Sequence, residues 1–192
     1  QELTVTGDEK LDNGKVSAMK LSETLPGGAG TIEIIVADGK IYAKLPPPIN
    51  DTGKPYLLMT ETSRNAQVRQ LAKSINSSLT TASASGYAVF AQAADSLKLV
   101  GPTTVNGAPA THYSIVMNPA KLPPSYPSKQ ELVDSGIGTI PLELYIDDHG
   151  RPVEMDEHFT LNGQSVETKA TFSDYNAPVF ISAPPPTEVG TN

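Results

Sequence analysis

The sequence predicts an α+β fold in which antiparallel β-hairpins are interrupted by two or three short helices. Three observations predict it. A two-residue turn recurs along the chain, apolar and polar residues alternate on either side of that turn, and in one stretch the apolar spacing becomes helical.

The turns are Asn13-Gly14, Asp38-Gly39, Asn106-Gly107 and Asn162-Gly163, with His149-Gly150 in a similar setting. Asn-Gly and Asp-Gly accept the positive φ angles that a tight hairpin of native twist requires. The flanking runs read as strands: 31–36 (TIEIIV), 40–45 (KIYAKL), 111–117 (THYSIVM), 141–146 (PLELYI), 153–161 (VEMDEHFTL) and 164–172 (QSVETKATF). Several alternate, as expected of sheets with one buried face. Ile32, Ile34 and Val36 share a face. Across the hairpin at residue 149, Leu142, Leu144 and Ile146 oppose Val153, Met155 and Phe159. Glu143, Tyr145, Glu154, Asp156 and His158 fall on the opposite face, which reads as solvated. Strict alternation puts Glu157 on the apolar face. Either a bulge turns it out or it is a polar group at a cavity edge.

The helical stretch is 62–81, with Val68, Leu71, Ala72, Ile75 and Leu79 on one stripe and Ser63 or Asn65 as cap. A shorter helix is expected at 87–96, with Val89 and Phe90 apolar, and a third at 128–135, where Ser128 and Glu131 form a capping box. The proline clusters at 46–48 and 123–127 read as loops. No linker divides the chain, so the expectation is one domain over residues 1–183 and a flexible tail over 184–192. The first strand begins almost at residue 1, so upstream sequence is expected.

Composition narrows the function. The 192 residues carry a net charge of −7, which disfavours nucleic acid, since phosphate contacts need basic patches. No apolar run approaches the ~18 residues of a membrane span. There is no cysteine, hence no thiolate metal site and no cysteine nucleophile. No Gly-x-Ser-x-Gly elbow occurs, and the glycines at 27–30 lack the Lys-Ser/Thr of a phosphate loop. His149 and His158, with their neighbouring carboxylates, are the nearest approach to a metal set, but Asp147-Asp148-His149-Gly150 is ordinary turn chemistry. His112 reads as a strand residue paired to a neighbour. Asn76-Ser77-Ser78 matches a glycosylation acceptor inside the helical stretch. No catalysis, metal or cofactor is expected.

The helical stripe has two readings. It closes a filled core, or it leaves an apolar space above the sheet, which the small residues Ala88, Ala91, Ala93 and Ala94 would permit.

The order of elements resembles the LppX/LprG-type actinobacterial lipoproteins, similar in fold to the lipoprotein carrier LolA. The matching residues are Ile35-Val36-Ala37-Asp38-Gly39-Lys40-Ile41-Tyr42-Ala43, then 99–107 (LVGPTTVNG) with Thr111-His112-Tyr113, then 140–147 (IPLELYID) with Gly150-Arg151-Pro152-Val153, and finally Phe172-Ser173-Asp174-Tyr175-Asn176-Ala177-Pro178-Val179. Tyr145 and Tyr175 stand where that family often has Trp, and 122–138 is longer than its counterpart. The resemblance implies a strongly twisted antiparallel half-barrel with helices over its concave face. It implies non-catalytic binding and transport of an acylated lipid or glycolipid in an apolar cavity at the outer face of the cell membrane. It further implies removal of a signal peptide, anchoring through an upstream lipid-modified cysteine, a membrane exporter as partner, and a monomer. The expected lining is Ile34, Val36, Ile41, Val68, Leu71, Ile75, Phe90, Leu144, Met155 and Phe159. The competing class is an envelope interaction module with a filled core, binding a protein or wall component through acidic or proline-rich loops such as 121–129.

Overall fold

Asn13 and Gly14 take φ values of 51° and 74°, so both turn positions are left-handed as a tight hairpin needs. The Asp38-Gly39 and Asn106-Gly107 turns repeat that geometry. His149-Gly150 does not. There Gly150 alone has positive φ, and its N–H donates to Asp147 O at 3.1 Å, a longer loop of the bulged kind. The structure, a computed structural model, describes residues 4–25, 30–46, 49–81, 89, 91–124, 126, 129–161 and 164–191. The Asn162-Gly163 turn, Phe90 and Ser128 lie outside them.

The α+β class is observed. The chain divides into two compact units, residues 1–84 with 178–192, and residues 85–177. In the first, β1 (Val5–Asp12), β2 (Lys15–Thr24), β3 (Thr31–Ala37), β4 (Lys40–Lys44) and β5 (Tyr56–Met59) form an antiparallel meander in chain order. Helix α1 (Ala66–Thr81) follows. Of the two caps the sequence offers, Asn65 is the one used: its side chain accepts from the Gln67 and Val68 amides, so the helix starts at Ala66 within the helical stretch 62–81. Asn76, in the middle of α1, donates its side-chain amide to Glu61 at 2.8 Å.

One face of this sheet carries Met19, Val36, Ile41, Ala43, Leu57 and Met59, packed against Val68, Ala72 and Ile75 of α1. The other face carries Ile35, Ala37 and Tyr42, packed with Ile181, Ala183 and Val189. The strand sequences explain why both faces are covered: β3 and β4 are near-continuous apolar runs rather than alternating ones. The expected flexible tail is therefore corrected. Pro186–Glu188 form a 3₁₀ turn, and β11 (Val189–Gly190) pairs in parallel with β5, Val189 opposite Tyr56. A Cβ on Gly190 would stand 2.2 Å from Thr52 Oγ1, so only glycine fits there.

In the second unit, β6 (Ala94–Val105), β7 (Ala108–Met117), β8 (Ile140–Ile146), β9 (Pro152–Leu161) and β10 (Gln164–Thr171) form a second antiparallel meander, ending in edges at β6 and β10. The expected helix over 87–96 is cut short. Residues 91–93 are helical, but Ala94 already belongs to β6. The alternation Ser96, Leu97, Lys98, Leu99 is a strand pattern, and it prevails. The third helix, α2 (Lys129–Asp134), forms where expected.

Candidate functional site

The strand register assembles one apolar face in the second unit. Leu97, Ile115, Leu142, Glu157 and Thr168 stand in one row across the five strands. Leu99, Tyr113, Leu144, Met155 and Ala170 stand in the next. A third region, around Met117, Ile140 and Phe159, is roofed by Ala93, Leu122, Tyr126, Leu132 and Ile137. The face is thus closed at one end and open at the other. Ile115 and Leu142 are buried, whereas Leu97 and Leu99 are 55% and 59% exposed. Tyr113, Leu144 and Met155 are half-buried. Beyond Leu99 the register slips at Val100, and Gly101 takes a φ of 138°, so a bulge leaves Val100 exposed as well.

Glu157 does lie on the apolar face, since β9 and β10 pair without a slip around it. Burial pushes its carboxyl pKa up, and no hydrogen-bond partner meets it among the described residues. Burial raises the phenol pKa of Tyr126 in the roof, and the Glu157 charge raises it further.

The opposite face of this sheet is a correction. It was expected to be solvated, yet Glu143, Tyr145, Glu154 and Asp156 are all half-buried. Their charges are met across the strands. Glu143 accepts from Ser114 Oγ at 2.9 Å and lies 2.5 Å from His112 Nε2. His112 stacks on Tyr145 at 4.5 Å, as the cross-strand reading of His112 expects. Lys169 pairs with Glu154 at 2.8 Å and lies 3.6 Å from Asp156 Oδ1. Among the described residues this ladder pairs Ser114 and His112 with Glu143 and Lys169 with Glu154 and Asp156, while Asp156 Oδ1 itself is buried without a hydrogen bond.

Asp147, Asp148 and His149 bring their ligand atoms within 4.8 Å of one another. Asp147 is already engaged, however. Its carboxylate accepts from the Arg151 and His149 amides and from the Arg151 guanidinium, all at 2.7–2.9 Å. Burial pushes its pKa up, but these hydrogen bonds outweigh that and hold it below the usual carboxylate value. Asp147 closes the turn. His158 lies near the far end of β9, opposite Glu167, and does not join the set.

Of the ten residues expected to line a cavity, the structure brings six together in the first unit. Val36, Ile41, Val68 and Ile75 are buried there, and Ile34 and Leu71 are partly buried against them. This cluster is tightly packed: Val68, Ala72, Ala43 and Leu57 have no exposed surface. Leu144, Met155 and Phe159 share the apolar face of the second unit, and Phe90 lies outside the described residues. Leu97, Leu99 and Tyr113 complete that face and are not among the ten, although the alternation at 96–99 marks the two leucines and that at 111–117 marks Tyr113. Two open depressions of about 730 and 460 Å³ lie on the first unit. The larger is lined by Asp51, Lys54, Arg64 and Asn65 and the smaller by Lys10, Asp12 and Asp38, among others, and none of the ten lines either. Among the described residues no helix is long and apolar enough to cross a membrane.

No family model matches the chain, and no curated protein matches it. Among solved structures it is similar to two mycobacterial proteins. One is LprF from Mycobacterium bovis, at 16% identity and a TM-score of 0.47 over 95% of this chain and 87% of that one. The other is the lipoprotein LppX from Mycobacterium tuberculosis, at 17% identity and a TM-score of 0.47 over 94% and 87%.

Proposed function

We propose that this chain is a non-catalytic carrier of an acylated lipid or glycolipid, with the acyl chain lying on the open half of the second sheet's apolar face. The observation that carries this reading is the exposure of Leu97 and Leu99 in the same rows as Tyr113, Leu144 and Met155. A β-sheet face normally hides its leucines. Here they form a continuous apolar strip at a sheet edge, and such patches mark binding surfaces. Each methylene removed from water contributes about 0.8 kcal/mol, so an acyl chain needs no directional contact to be held. The paired polar ladder on the opposite face and the occupied Asp147 turn support a protein without catalytic machinery.

Phe159 belongs at the closed end of the strip. In the first unit Ile34, Val36, Ile41, Val68, Leu71 and Ile75 serve as core beneath α1. The motifs at 36–42, 99–113, 140–153 and 173–179 support an exported, monomeric protein held at the outer face of the cell membrane by a lipid-modified cysteine upstream, working with a membrane exporter.

The test is binding of a fluorescent acyl probe to the wild type and to Leu99→Asp. Leu99 is exposed, so its replacement leaves the fold intact. Loss of probe binding with an unchanged thermal midpoint supports the reading. Unchanged binding removes the strip as the site. The packed first unit favours a second reading, the filled-core interaction module, and that reading gains if the wild type takes up no acyl probe.

A further inference from the structure

We propose that Glu157 selects the polar end of the bound amphiphile, favouring a group that donates hydrogen bonds, an ammonium or hydroxyl, over a carboxylate or phosphate. This deepens the acyl-carrier reading and rests on it. The argument begins with position. Across the rows of Leu97 and Leu99, Glu157 is the one acidic side chain, and it stands where the roofed end of the face meets the open end. Its register neighbours, Leu142 and Thr168, are uncharged, and so are Met155 and Phe159 on either side of it along β9.

The next step is hydrogen-bond accounting. A carboxyl held among apolar groups is costly unless something donates to it. No described residue does. On the opposite face of this sheet Glu143 receives Ser114 and His112 and Glu154 receives Lys169, while Asp156, whose Oδ1 lacks a hydrogen bond, still has the Lys169 ammonium 3.6 Å away. Among the described residues Glu157 has no such partner, and it stands where the acyl strip ends. An ionised carboxylate accepts hydrogen bonds and donates none. It therefore attracts an amine or alcohol and repels an acid. Apolar lining with a few polar groups that fix orientation is the usual make-up of a small-molecule site.

The experiment compares three probes with one tail: hexadecylamine, hexadecanol and hexadecanoate. It is run at about pH 8, well above the ordinary glutamate value of about 4.3. Ionic strength is about 0.15 M, so that charges beyond about 8 Å are screened and the overall charge of the protein does not decide the result. The expected result is that wild type binds the amine and the alcohol about tenfold more tightly than the acid, and that Glu157→Gln, which keeps the shape, brings the three within about threefold of one another. If the wild type binds all three alike, or if Glu157→Gln leaves the preference untouched, Glu157 selects nothing and the carrier reading stands. If no probe binds, both fall. The wild-type ratio is read without any substitution, so a poorly folding variant does not rescue the proposal.

Discussion

The Tyr56 hydroxyl donates to Glu33 Oε1 at 2.5 Å, reaching from β5 over β4 to β3. Lys20 closes the group from β2, 2.9 Å from the other oxygen of Glu33. Three strands of the first sheet, β2, β3 and β5, are thereby tied together on one face. Burial pushes the Glu33 carboxyl up, but the hydrogen bonds from Tyr56 and Lys20 outweigh it and lower its pKa. The same bond, with burial and the Glu33 charge, pushes the Tyr56 phenol up to about 12.

The pH dependence follows in sign. The Tyr56 pKa is raised on folding, so its contribution is complete below the unfolded phenol value of about 10 and is lost as pH rises toward 12. The Glu33 pKa is lowered, so its contribution is present at neutral pH and is lost as pH falls through the acid range. Ultraviolet titration of the seven tyrosines is expected to show a late phase that Tyr56→Phe removes. Tyr56→Phe should also cost about 1 kcal/mol at neutral pH, read from urea unfolding. A titration curve identical in the variant would contradict the assignment.

Core and strip should respond oppositely to truncation. Leu57 has no exposed surface and packs between the first sheet and α1, so Leu57→Ala is expected to destabilise by about 2–5 kcal/mol. Leu99→Ala is expected to change stability by less than about 0.5 kcal/mol, because Leu99 is mostly in water already. Equal losses in chemical denaturation would mean that the strip is core.

The C-terminal segment should be needed for the fold. It covers Ile35, Ala37 and Tyr42, and its β11 is pinned by the close approach of Gly190 to Thr52. Gly190→Ala is expected to lower the thermal midpoint, and deletion of residues 184–191 to lower it further and expose surface that binds a hydrophobic dye. A deletion that melts like the full chain would return this segment to the status of a tail.

Much of this architecture is legible in the sequence, and the reasons are local. Asn13-Gly14, Asp38-Gly39 and Asn106-Gly107 specify their hairpins through backbone conformation alone, so the hairpins could be read without knowing what packs on them. The stripe Val68, Leu71, Ala72, Ile75 likewise specifies α1 and the face it buries. What could not be read depends on partners distant in sequence. Nothing local in Val189-Gly190 says that β5 awaits it. The burial of Glu154 and Asp156 depends on Lys169 and the strands around them, whereas alternation alone makes that face look wet. The open strip was only half legible. Leu144 and Met155 could be assigned from their hairpin, but Leu97 and Leu99 gain meaning only because β6 is a sheet edge, which is a property of the fold. Glu157 shows alternation at its most useful: the residue that breaks the apolar pattern stays on the apolar face.

The most direct test of the central claim is native mass spectrometry of the protein after incubation with a long-chain acyl lipid, on wild type and on the double variant Leu97→Asp, Leu99→Asp. The account expects a discrete added mass on the wild type, removed by solvent extraction and identified as the lipid, and its loss from a double variant that keeps the wild-type circular dichroism. An added mass of equal intensity on both proteins, or none on either, would contradict a lipid-binding strip on the second sheet.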